Sequence, residues 1–241
     1  MDELKTKVLV LKNIEYKEKD KLVTVFSLEL GLINVIIKNC SSFSYKLKFA
    51  YCPFSFCEFE IIKKGELFFM KNATLIDNFY DISESYDNFV VGNDILELVL
   101  KCNKTLEPNN LLFINTLKAL NILAYGQTDC KILLLKFMLG LTKVNGFKLN
   151  FKKCGICEMA YTGKIYLNLN SGEFECVCCK NYFSVLVEKE VFELLKKINS
   201  QPIDNLPCFE EDYNILKDSL KLMTLNIENR FGVRLNCKNF L

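Results

Sequence analysis

Two cysteine pairs constrain this chain more than any other feature of its sequence. Cys154-x-x-Cys157 and Cys176-x-x-Cys179 are separated by eighteen residues. Two residues between thiolates let one tight turn present both sulfurs at about 2.3 Å from a zinc ion in a tetrahedral site. The intervening stretch leaves room for a short hairpin, over residues 164–169, that returns the second pair, and Gly155 and Gly172 permit the turns. Four thiolates leave no position for water, so the spacing predicts one structural Zn2+ per chain and not a catalytic one. A redox Cys-x-x-Cys would need no matching second pair. Cys178 keeps the ligand set open, because Cys176 with Cys178, or Cys178 with Cys179, are conceivable pairs. The standard two-residue gap favours Cys176 with Cys179.

The 241 residues contain twelve cysteines and no histidine. Without imidazole, a histidine general base, a histidine-activated nucleophile and a histidine zinc ligand are all excluded. The start, Met1-Asp2-Glu3-Leu4-Lys5, carries acids where a secretion signal needs positive charge, and no apolar segment follows. The longest apolar stretch, residues 132–141, is interrupted by Lys136 and is too short to span a bilayer. The expectation is a soluble cytoplasmic protein with no membrane partner. In a reducing compartment, clustered cysteines read as metal ligands and scattered ones as small buried apolar residues.

Hydrophobic periodicity divides the chain. Residues 8–13, 22–28, 32–38, 54–63 and 67–76 read as five strands, with Glu29-Leu30-Gly31 and Lys63-Lys64-Gly65-Glu66 as turns. The first is apolar on both sides, through Val8 and Val10 and through Leu9 and Leu11. Five short strands suggest a small closed barrel of the OB-fold type. Beyond Asp77 the period becomes helical. Ser83 is expected to cap a helix through Asn103, Pro108-Asn109 to start one ending at Gly126, and Thr128 to cap one ending at Val144-Asn145-Gly146. Two more fit residues 187–199 and 211–230, the last closed by Gly232. The predicted class is α+β: an N-terminal five-stranded OB-fold barrel over residues 1–78, a helical bundle over 79–149 and 181–241, and a four-cysteine zinc module over 150–180 inserted in the bundle.

Charge is segregated although the net charge is only +2. No acid occurs between Glu29 and Glu58, where Lys38, Lys46 and Lys48 are interleaved with Phe43, Tyr45, Phe49, Tyr51, Phe54 and Phe56. Cys130 to Cys157 is also free of acids and holds Lys131, Lys136, Lys143, Lys148, Lys152 and Lys153. Ammonium groups for phosphates and rings for bases are the composition of a single-strand platform, so Lys38, Lys46, Lys48, Lys148, Lys152 and Lys153 are the candidate single-stranded DNA contacts. At least half of the rings are expected in the barrel core, and Lys131 and Lys136 on a solvated helix face. Residues 72–100 are the reverse, with six acids and no base, a solvated face or a protein contact. No phosphate-cradling glycine loop or deaminase signature is present, and no enzyme is expected.

These residues resemble the bacterial recombination mediator family RecO. The similarity lies in Val8-Leu9-Val10-Leu11-Lys12, Tyr16-x-Glu18-x-Asp20-Lys21 and Phe26-Ser27-x-x-x-Gly31, in Lys38-Asn39 with Ser44, in the cysteine pattern preceded by Gly172-Glu173, and in Gly232-Val233-Arg234-Leu235-x-x-x-x-Phe240-Leu241. The resemblance implies an OB-fold, a helical domain and a zinc module. It also implies a non-catalytic, cytoplasmic and nucleoid-associated role: binding and annealing single-stranded DNA, and helping to load recombinase onto strands coated by single-strand binding protein, with RecR as partner. Where the family often has arginines after Lys38, this chain has Cys40-Ser41-Ser42-Phe43, which lowers the expected phosphate contacts of that loop. The alternative is a zinc-stabilised protein-interaction scaffold without DNA contact.

Overall fold

The computed structural model describes residues 3–40, 45–206 and 212–236. Five strands close into a barrel: β1 Glu3–Tyr16, β2 Asp20–Ser27, β3 Gly31–Ile37, β4 Phe56–Lys64 and β5 Leu67–Asp77. Their order is β1-β2-β3-β5-β4, and β1 pairs with both β2 and β4, which closes the ring. Only β3 and β5 are parallel, with Val35 opposite Phe68 and Ile36 opposite Phe69. β1 is longer than its apolar run because its polar first half pairs with β4, where Lys5 forms an ion pair with Glu60 at 2.9 Å.

The two-sided hydrophobicity of β1 has a direct cause. Val8 and Val10 point into the barrel with Val23, Val25, Ile33, Val35, Phe59 and Ile61. Leu9 and Leu11 point outward and, with Phe26, Leu32 and Phe54, belong to the core of the helical part. A strand buried on both faces loses the polar alternation that a half-exposed strand shows.

A short 3-10 turn, Tyr80–Glu84, leads to α1 Tyr86–Lys101, α2 Asn110–Tyr125, α3 Cys130–Val144, α4 Lys189–Ser200 and α5 Tyr213–Phe231. Two expected caps shift. Ser83 lies in the 3-10 turn and donates to Tyr80 O at 2.8 Å, so Ser85 caps α1. Asp129, not Thr128, caps α3, accepting from Lys131 N at 2.8 Å and Ile132 N at 3.1 Å. Asn109 caps α2, and Gly232 ends α5 at φ +65°. α3 is apolar nearly all round because α1, α2, α4 and α5 surround it, burying Leu133, Leu135, Phe137, Met138 and Leu141. Among the described residues, no helix is long and apolar enough to cross a membrane.

Between α3 and α4 lies a three-stranded sheet of β6 Ile165–Asn168, β7 Glu173–Cys176 and β8 Ser184–Val187, in the order β7-β6-β8. The sequence reading allowed one hairpin here and began the fourth helix at residue 187. Four residues of unpatterned Ser-Val-Leu-Val carry too little period to reveal β8 as a strand.

Candidate metal centre and nucleic-acid surface

The two cysteine pairs meet. The Sγ atoms of Cys154, Cys157, Cys176 and Cys179 all lie within 4.8 Å of one another, and Cys157 Sγ is 3.8 Å from Cys176 Sγ. Four sulfurs at about 2.3 Å from one tetrahedral ion would be about 3.8 Å apart, so the donor set fits a single metal ion. Cys178 is exposed and stands outside the cluster, which decides between the pairings that spacing left open. Cys154 and Cys176 are buried while Cys157 is exposed, so an ion here would tie the inner surface of the knuckle to its outer loops.

Backbone geometry favours thiolates at the inner pair. Burial pushes the Cys154 thiol up, but N–H groups of Cys157, Cys176 and Ile156 outweigh it and bring it down to about 6. Cys176 is also lowered, burial again opposing the N–H groups of Cys178 and Cys179. Cys157 and Cys179 are raised; for Cys179 the causes begin with its hydrogen bonds to Cys157 and Cys176. Sulfurs this crowded cannot all ionise without a cation among them.

The two glycines of the motif act differently. Gly172 turns at φ +71°, as expected. Gly155 has an ordinary backbone, and a Cβ there would meet the Glu173 carboxylate at 2.4 Å, so it supplies space and not a turn. The module is anchored by an aromatic cluster: Phe174 lies 5.0 Å and Phe151 5.5 Å from Phe192 of α4. Glu175, fully buried and unremarked in the sequence, accepts from Asn168 Nδ2 of β6 at 2.9 Å and Ser184 Oγ of β8 at 2.7 Å. It bridges all three strands beside Cys176. A lone carboxylate in an alternating strand carries no sequence signal for such a role.

The six candidate lysines fall in two places. Lys46 and Lys48 are exposed on the segment around the 3-10 turn Lys48–Tyr51, where Tyr45 and Tyr51 stack at 6.2 Å. Phe43 lies outside the described residues. Phe54 is buried and Phe56 packs beside it, but in the core of the helical part and not in the barrel core where the sequence placed them, because this segment faces outward from the barrel. Lys148 and Lys152 are exposed beside the metal module. Lys153 instead holds Glu158 at 2.7 Å, a contact that lowers the Glu158 pKa through its hydrogen bond and charge. Lys136, expected on a solvated face, is half-buried and donates to Ile198 O at 3.2 Å and Asn199 O at 3.3 Å, satisfying the end of α4.

Lys38 has company that the sequence did not announce. Its ammonium is 5.1 Å from the Phe69 ring, which Lys64 approaches at 5.8 Å from the β4–β5 turn, while Lys63 lies 5.7 Å from the Phe68 ring. Lys17, on the β1–β2 turn, stands over Tyr16 at 5.3 Å. Tyr16, Lys17, Lys38 and Phe69 line one cavity of about 360 Å3. Lys38 and Lys64 are distant in sequence and meet at Phe69 because β3 pairs with β5. The turn residues Lys63 and Lys64 were legible as a hairpin, but the place of Lys64 at the ring that Lys38 approaches was not.

Comparison with known proteins agrees with this architecture. The family model described as recombination protein O, N terminal, matches residues 1–79, and that for recombination protein O, C terminal, matches residues 83–237. The chain belongs to the recombination protein O family. Among its relatives, the DNA repair protein RecO of Caldicellulosiruptor saccharolyticus is 26% identical over 228 residues, covering 93% of this chain and 92% of the relative. That of Clostridium novyi is 26% identical, covering 95% and 89%. That of Thermodesulfovibrio yellowstonii is 28% identical over 210 residues, covering 83% and 82%. The family resemblance noted from scattered motifs therefore extends over both the barrel and the helical part.

Proposed function

We propose that this member of the recombination protein O family is a non-catalytic mediator in DNA repair that binds and anneals single-stranded DNA. In this reading it helps load recombinase onto strands coated by single-strand binding protein, together with RecR, in the cytoplasm at the nucleoid. The supporting observation is the cleft at the barrel end, lined by Tyr16, Lys17, Lys38 and Phe69 together with Asp20, with the Lys64 ammonium also near the Phe69 ring. Cations for phosphates beside rings for bases suit a strand without sequence preference. The four cysteines would hold one structural Zn2+, which leaves no position open for a substrate.

A second reading, a protein-interaction scaffold without DNA contact, draws on the acidic segment, where Asp81, Glu84 and Asp87 are exposed beside Tyr80 and Tyr86. The two separate in a salt titration on single-stranded DNA. Phosphate neutralisation gives a falling line of log affinity against log salt, with about one unit of slope per contact. Replacing Lys17, Lys38 and Lys64 by alanine is expected to flatten it by up to about three units. A wild-type protein without measurable single-strand binding at low salt would favour the scaffold.

A further inference from the structure

We propose that Tyr182 and Phe183, on the turn from the second cysteine pair into β8, are stacking residues for the bases of single-stranded nucleic acid. The proposal rests on the single-strand reading above and adds a contact surface remote in sequence from the barrel. Tyr182 is 96% exposed and Phe183 53% exposed, the two rings meeting edge to face at 5.6 Å. Rings this open are normally tolerated on loose loops, but this turn is held. Asn181 N donates to Ser184 Oγ at 2.8 Å, Phe183 N to Asn181 Oδ1 at 2.9 Å, and Ser184 N to Asn181 O at 3.1 Å. Leu169 N donates to Phe183 O at 3.0 Å, and Ser184 Oγ is tied to buried Glu175. A turn fixed in advance gives up little conformational entropy when a base stacks on it.

Charge selects the ligand class. From Cys176 to Val187 the chain has no acid, and Lys180 lies within the turn, its ammonium 4.8 Å from the Tyr166 ring. Tyr80 and Tyr86 are also well exposed, but they sit in the segment 72–100 with six acids and no base, which repels phosphates. The turn that carries the metal-module rings thus holds a cation and no carboxylate of its own, whereas the α1 rings sit among acids. Stacking is indifferent to base identity and releases no counterions. Its signature is therefore lost affinity at unchanged salt slope, unlike the loss of a lysine.

The test uses the full-length, zinc-loaded protein and fluorescence anisotropy with two probes of equal length, an oligothymidylate and an abasic oligonucleotide. Wild type is expected to prefer the strand with bases. Tyr182→Ala with Phe183→Ala is expected to bind the oligothymidylate about fivefold to a hundredfold more weakly, with the same salt slope and little remaining preference over the abasic strand. Tyr182→Phe keeps the ring and should retain binding. Zinc content and melting temperature serve as controls, since neither side chain is buried. Unchanged affinity of the double variant beside a binding wild type would overturn this proposal and leave the barrel reading intact. Absence of wild-type binding would overturn both.

Discussion

Gly31→Ala is expected to be one of the most damaging conservative changes in the chain. Gly31 adopts φ +69°, and a Cβ built there would lie 2.2 Å from Glu107 O, 2.5 Å from Glu107 C and 3.0 Å from Glu107 N. All three are backbone atoms, so no side-chain rotation relieves the clash. The segment is held in place because Leu106 N donates to Leu32 O at 3.1 Å and Leu32 bridges to Thr105. This is where the barrel leans on the helical part. A left-handed alanine costs about 1–2 kcal/mol. The displaced hydrogen bond adds about 1 kcal/mol and the overpacking about 1–3 kcal/mol.

Gly65 supplies the control. It has φ +60° and nothing within 4 Å of its Cβ position, so Gly65→Ala bears the backbone strain alone, about 1–2 kcal/mol. Equilibrium urea unfolding of both variants, in zinc-containing buffer, should therefore separate them by about 2–4 kcal/mol. Equal losses would refute the reasoning, since they would mean that Glu107 moves away freely and the barrel is not held by this contact. Glu107→Ala should not rescue Gly31→Ala, because the obstruction is the Glu107 main chain.

The metal site predicts one equivalent of zinc per chain by elemental analysis, lost or much weakened in Cys157→Ser and retained in Cys178→Ser, whose sulfur lies outside the cluster. On single-stranded DNA, Lys148→Ala with Lys152→Ala should flatten the salt dependence by up to about two units. Adding Lys153→Ala should change it little further, because Glu158 already neutralises that charge.

What the sequence disclosed and what it hid follow from the range of the interactions involved. The cysteine set was legible because a knuckle is a local device, with its donors fixed by two-residue gaps. The barrel strands were legible from period, and the double-sided run at Val8 to Leu11 already recorded a strand with two apolar neighbours. Caps were placed one or two residues early, at Ser83 and Thr128, because Ser, Thr and Asp compete for the same role in adjacent positions. The gathering of Lys17 and Lys38 in one cleft, with Lys64 at the Phe69 ring that lines it, was hidden, since it depends on which strands pair and not on any one segment. Lys153 had a second hidden contact. Counted as free charge from its neighbours in sequence, it is paired by Glu158 across the knuckle.

The metal module is joined to both helices that follow it, and this separates two effects of removing the metal. Phe151 and Phe174 pack on Phe192 of α4, while Arg230 of α5 stacks on Phe147 at 4.2 Å and donates to Asn170 O at 2.8 Å. An ion with four thiolates carries a net charge of about −2. The metal-free cluster, with Cys157 and Cys179 pushed above their ordinary value and so protonated near neutral pH, is no more negative than that. By charge alone, chelation would leave DNA affinity unchanged or raise it. By position, chelation releases the strands that hold Lys152, Lys180 and the turn at Asn181–Ser184, and lowers it. We expect the second effect to win, with single-strand affinity falling on chelation and returning when zinc is restored. Circular dichroism of the helical part should change much less than binding, because α3 keeps its own surrounding helices. An affinity that rises on chelation would mean that the module repels DNA and that binding is confined to the barrel.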